Sequence, residues 1–114
     1  MFVLDNLIIK QKLEDTIEYA YGVFRHFPKS ERFTLVADLK RSLTKMLELI
    51  IRANKSKNKF ILLMDIDTEL EVFRSLVRLS FRLKFISIKK YEILSRKVNE
   101  VGRLLGGWIK QNKT

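Results

Sequence analysis

The stretch Ser87–Lys110, SIKKYEILSRKVNEVGRLLGGWIK, decides the fold. Tyr91, Leu94, Val98, Val101, Leu105 and Trp108 recur at alternating steps of three and four. That spacing puts all six on one stripe of an α-helix with a heptad-like period. Lys89, Arg96, Arg103 and Lys110 recur every seven residues and form a second stripe on the same helix. One face is suited to burial, the other to meeting negative charge. Such a helix cannot bury its apolar face alone, so the rest of the chain must supply partners.

Three further helical periods lie upstream. In the first, Leu13, Ile17, Ala20, Phe24 and Phe27 share a stripe while Glu14, Asp15 and Glu18 face elsewhere. Asp5 or Asn6 is a candidate cap at its start, and Pro28 ends it by pushing the preceding residue out of the helical region. Ser30, followed by Glu31, is the expected cap of a second helix with the stripe Val36, Leu39, Leu43, Met46, Ile50 and Ala53. Phe33, Leu35, Leu47, Leu49 and Ile51 widen its apolar surface. The polar run NKSKNK, Asn54–Lys59, is a loop. A third helix carries Leu63, Ile66, Leu70, Phe73 and Val77, broadened by Leu62, Leu76 and Leu83. Ser87 caps the fourth. The reading is one all-α domain over residues 1–114, an up-down-up-down antiparallel four-helix bundle with helices at roughly 6–27, 31–53, 60–84 and 88–110.

Charge carries the functional signal. The chain has 23 Lys+Arg against 13 Asp+Glu, a net +10. Residues 1–38 hold 5 basic and 6 acidic side chains, residues 39–71 hold 7 and 5, and residues 72–114 hold 11 and 2. A localised excess of this kind is the electrostatic footprint of a polyanion binder, most often of nucleic acid; a generally soluble basic surface is the alternative. With no Cys there is neither a disulfide framework nor a thiolate metal site. A reducing, cytoplasmic setting is compatible with that and is the expectation. No apolar run approaches the ~20 residues of a membrane span, and the start MFVLDNLIIKQKLED lacks the pattern of a signal peptide.

Catalytic constellations are missing from the sequence. His26 is the single His and has no second ligand or triad partner of its own type. Asp65, Asp67, Glu69 and Glu71 resemble a metal loop only on paper, because on a helix they point to several faces and lack the glycine of a calcium loop. No Glu-x-x-His motif of a bundle metal site occurs. The expectation is a non-enzyme with no metal and no cofactor. Gly102, Gly106 and Gly107 each cost about 1 kcal/mol in a helix interior, which calls for close approach of a neighbouring helix or a frayed end.

The basic residues therefore carry the functional expectation. Arg74, Arg78 and Arg82, four apart, form a ridge on the third helix, and the planar guanidinium grips a phosphate through two hydrogen bonds. Glu71 and Glu69 reach only its start. Lys89, Arg96 and Arg103 supply the fourth-helix row, with Glu92 and Glu100 available to pair with Arg96 and Arg103. Arg41 and Lys45, with Lys40, extend the pattern onto the second helix.

FPKSERFTL at Phe27–Leu35, LELIIRAN at Leu47–Asn54 and YEILSRKVNEVGRLLGGWIK at Tyr91–Lys110 resemble the accessory variability determinant (Avd) family of diversity-generating retroelements. That family sits within a four-helix-bundle group that includes the ribosomal-RNA intervening-sequence proteins. The resemblance implies a barrel-shaped homopentamer with a basic surface that binds RNA or DNA and associates with the retroelement's reverse transcriptase, which copies template RNA with errors at adenines. The polymerase site belongs to that partner. The other reading is a structural bundle of the intervening-sequence type with a different RNA or protein partner. Apolar residues in excess of one core, Leu47, Leu49, Ile50 and Ile51 on the second helix with Phe81 and Phe85 off the main stripe of the third, independently suggest a homo-oligomer.

Overall fold

In the computed structural model, which describes residues 2–113 and their side chains from 7 onward, the apolar stripes become the inner faces of four helices. These are α1 (Phe2–Phe24), α2 (Leu35–Lys55), α3 (Phe60–Arg82) and α4 (Ile88–Asn112). Each packs only on its neighbours in a ring: α1 on α2 and α4, and α3 on α2 and α4. With short connections this is the antiparallel four-helix bundle that the periodicity predicts, 44 Å long and 24 × 20 Å across.

The core is a single apolar column. All the stripe residues of α2 and α3 are buried, as are Leu94, Val98, Val101, Leu105 and Trp108 of α4. Each fully buried Leu, Ile or Phe contributes about 1.5–3 kcal/mol. Ile17 and Tyr91 are only partly buried at the edge of the column, and Ile9, Val23 and Ile86 complete it. Three buried hydroxyls are satisfied locally or across one seam. Thr16 donates to the Lys12 carbonyl at 2.8 Å and Ser80 to the Leu76 carbonyl at 2.7 Å. Ser42 on α2 donates to the Glu69 carboxylate on α3 at 2.8 Å.

The helix starts depart from expectation in two places. Ser30 and Glu31 do not start α2. They lie in a 3-10 turn, Lys29–Glu31, closed by the Glu31 amide donating to the Pro28 carbonyl at 2.9 Å. α2 begins four residues later, where Thr34 holds the cap position without a side-chain cap bond and instead donates to the Glu31 carboxylate at 2.8 Å. α1 already runs from Phe2, so neither Asp5 nor Asn6 stands at a helix start, and their side chains lie outside the described residues. The C-terminal ends shift as well: α1 stops at Phe24 and α3 at Arg82, short of 27 and 84, while α2 and α4 run on to Lys55 and Asn112, past 53 and 110. Ser87 caps α4 by accepting from the Lys90 amide at 3.3 Å. Lys59 closes α2 by donating to the Ala53 and Ser56 carbonyls at 2.7 and 2.6 Å.

The α3–α4 turn has the Schellman arrangement, with Phe85 N–H donating to the Ser80 carbonyl and Lys84 N–H to the Phe81 carbonyl, both at 2.9 Å. Its left-handed residue, usually Gly, is Lys84 with φ 68°. Phe85 then packs on Phe27 with ring centroids 5.6 Å apart, which ties the α3–α4 turn to the α1–α2 turn at one end of the bundle.

Candidate nucleic-acid interface

The three arginines of α3 share a ridge in sequence but not an environment. A step of four residues advances about 40° around a helix, so an i, i+4 row winds from one face toward the next. Arg74 lies in the α3–α4 seam with its side chain 28% exposed, paired with Glu71 at 3.1 Å and donating to the Asn99 side chain at 3.3 Å. Arg78 stands at the lip of the seam, where its one bond is to the Ser75 hydroxyl at 3.3 Å. Arg82 is exposed and, among the described residues, has no hydrogen bond or ion pair. Arg74 and Arg78 border a groove of about 190 Å³ whose other wall is Tyr91, Ser95 and Asn99 of α4.

Gly102 explains how Arg74 fits. A Cβ there would lie 2.5 Å from an Arg74 guanidinium nitrogen and 3.3 Å from Leu70 Cδ2. The glycine admits the arginine head into the seam. Gly106 and Gly107, in contrast, are exposed and a Cβ on either would meet nothing within 4 Å, so the close-packed strip expected through Gly106 is confined to Gly102.

Lys89, Arg96 and Arg103 are exposed on the outer surface of α4. The carboxylates expected to pair with them do not. Glu100 turns to α1 and meets Lys12 at 2.9 Å, and Glu92 forms no ion pair among the described residues. The Lys12 ammonium hydrogen-bonds Glu100 and, with lesser help from Arg103 and Lys97, holds its carboxyl below the usual range. Arg78, Arg82, Lys89, Arg96 and Arg103 thus form one poorly neutralised surface across α3 and α4.

Arg41 and Lys45 belong elsewhere. They line a groove on the α2–α3 side together with Asp38 and Glu69, and Arg41 is paired with Asp38 at 2.6 Å. The charge of Arg41 is locally compensated, and α3 stands between both residues and the α4 row. A second basic group is not apparent from spacing: Arg25, Lys29 and Arg32 gather with Lys40 where α1 passes into α2. Summing charge by segment concealed it, because acidic side chains that do not line the recess offset Arg25, Lys29 and Arg32 within residues 1–38, and Lys40 fell in the next segment.

Among the described residues no three His, Asp or Glu side chains converge as metal ligands. Glu69 and Glu71 are engaged by Ser42 and Arg74, and His26 is exposed. Among the described residues no helix is long and apolar enough to cross a membrane.

Fold and surface together define an all-α bundle with an outward basic face. The chain belongs to the bAvd-like family, whose model matches residues 7–112, in agreement with the resemblance carried by its motifs. No curated protein matches it.

Proposed function

We propose that this chain is a non-catalytic accessory subunit of a diversity-generating retroelement. It binds template RNA or DNA through the α3–α4 face and associates with the retroelement's reverse transcriptase to support mutagenic cDNA synthesis. The observation that carries this reading is the Arg78–Arg82 pair beside the Lys89–Arg96–Arg103 row, left without carboxylate partners because Glu71 is spent on Arg74 and Glu100 on Lys12. Phosphate is the ligand that such a face lacks.

Arg78→Ala/Arg82→Ala tests it, because both side chains are exposed and their loss leaves the core intact. The double variant is expected to lower RNA affinity and to flatten its salt dependence by about 0.7–0.9 in log K per log salt for each phosphate no longer neutralised. Fluorescence anisotropy across a salt series, with co-purification of the candidate reverse transcriptase, reads both. A variant that binds RNA and polymerase like the parent would sink the assignment.

A homo-oligomer belongs to the same proposal. Leu49 and Ile50 are in the core, Leu47 is packed against it, Phe81 stacks on Tyr91 at 4.4 Å and Phe85 packs on Phe27. Of that set Ile51 is exposed, and it is joined by Ile61, Val72 and Leu79 of α3 and Leu83 just after it, which are 39–70% exposed, and by Phe33, which is 86% exposed. By spacing, Ile61, Val72, Leu79 and Leu83 share one face, turned toward α2 and away from Arg74 and Arg78, with Arg82 at its border. Assembly through that face leaves Arg78 and the α4 row open. The family resemblance implies five copies; light scattering that returns a monomer at every concentration refutes assembly.

A further inference from the structure

Where α1 turns into α2 the molecule holds a recess of about 330 Å³, within the ~300–1,000 Å³ of small-ligand sites. Tyr21, Arg25, Pro28, Lys29, Arg32 and Lys40 line it, and no carboxylate does. Among the described residues none of its four cations makes an ion pair. Glu31, the carboxylate of the turn, is occupied by the Thr34 hydroxyl.

The frame beneath is rigid. Phe24 and Phe27 are buried and meet edge to face at 5.7 Å, and Phe27 is locked to Phe85. Tyr21 rests on Phe24 with centroids 6.0 Å apart yet stays 38% exposed. The Lys40 ammonium lies 4.6 Å from the centre of its ring, so that a flexible side chain and not the core covers this face.

We propose that this recess is a second nucleic-acid site that seats one unpaired nucleotide of a single strand. The base stacks on Tyr21 in place of the Lys40 ammonium, which moves to the phosphate alongside Arg25, Lys29 and Arg32. Cations that track the backbone beside an aromatic platform are the working parts of single-strand sites. A duplex keeps its bases stacked inward and cannot offer one to a ring set in a recess. An acidic peptide would satisfy the cations but leave the ring unused. The inference rests on the nucleic-acid reading above and extends it to a different pair of helices.

The test uses the full chain and an eight-nucleotide RNA carrying 4-thiouridine, photo-crosslinked and mapped by peptide mass spectrometry. Anisotropy with the same RNA and with its duplex accompanies it. Adducts at Tyr21 are expected, and they are expected to survive Arg78→Ala/Arg82→Ala. Arg25→Ala/Arg32→Ala should weaken single-strand binding about tenfold or more and flatten the salt slope by about 0.7 for each phosphate left without its cation. Tyr21→Ser should cost about fivefold or more with the slope unchanged, and Tyr21→Phe should restore the affinity. Duplex binding should change far less. Circular-dichroism melts matching the parent show that the variants fold. Adducts confined to α3 and α4, or displacement of the RNA by polyglutamate as readily as by unlabelled RNA, overturn this site and leave the α3–α4 face standing. A parent chain that binds no oligonucleotide overturns both.

Discussion

Alanine at Gly102, Gly106 and Gly107 should give three different answers to what looks like one question. In an open helical position Gly→Ala stabilises by about 0.5–1 kcal/mol, because the unfolded chain loses freedom and the helix gains propensity. Nothing lies within 4 Å of a Cβ at Gly106 or Gly107, so each substitution should deliver that gain. At Gly102 the new methyl would sit 2.5 Å from the Arg74 guanidinium and 3.3 Å from Leu70. The guanidinium must swing out and give up its 3.3 Å bond to Asn99, worth about 0.5–1.5 kcal/mol, and Leu70 must yield slightly. The two effects cancel, and Gly102→Ala should be close to neutral. Chemical denaturation followed by the fluorescence of Trp108, which is buried on the same helix, measures all three, and a thermal melt should show roughly 4 °C per kcal/mol. If Gly102→Ala stabilises as much as the other two, the seam is looser than its distances imply. If Gly106→Ala or Gly107→Ala destabilises, those positions are covered by another copy of the chain and not open.

Two further outcomes follow from the turns and seams. Lys84→Gly should stabilise by about 1 kcal/mol, because φ 68° strains a residue that carries a side chain and leaves Gly unstrained; urea unfolding with an unchanged m-value checks it, and a loss of stability would mean that the Lys84 side chain holds the turn. For Glu100, the lowered carboxyl pKa means that the folded state favours the ionised form, so the Lys12 pair contributes above the usual carboxylate range and fades as pH falls through the folded value. Glu100→Gln should therefore be less stable than the parent at neutral pH and equal to it near pH 2, and a gap that persists in acid would refute the pairing.

The buried stripes of α2, α3 and α4 were legible because burial on one face imposes a period that composition cannot mimic. The 28–34 turn was not: Pro28 correctly ends α1, but Ser30-Glu31 has the same letters whether it caps a helix or closes a 3-10 turn. Phe33 and Leu83 show the limit of reading apolar type as burial, since both are exposed. In the basic surface, spacing placed Arg74, Arg78 and Arg82 in one row, yet it could not show that Glu71, Asn99 and Gly102 draw the first of them into the seam. Nor could segment charges show that Arg25, Lys29 and Arg32 of the α1–α2 connection and Lys40 of α2 surround one recess.

The ring of helices also sets an order of assembly. Three seams join helices that follow one another in the chain, each closed by a short connection that costs little loop entropy. The fourth, α1 against α4, joins distant parts of the chain: its Lys12–Glu100 pair spans 88 residues. During synthesis at about 5–20 residues per second, α1 spends several seconds with one flank of its apolar face uncovered. Only when the segment ending in Trp108 has emerged can that flank be sealed, which makes α4 the last part of the bundle to be secured.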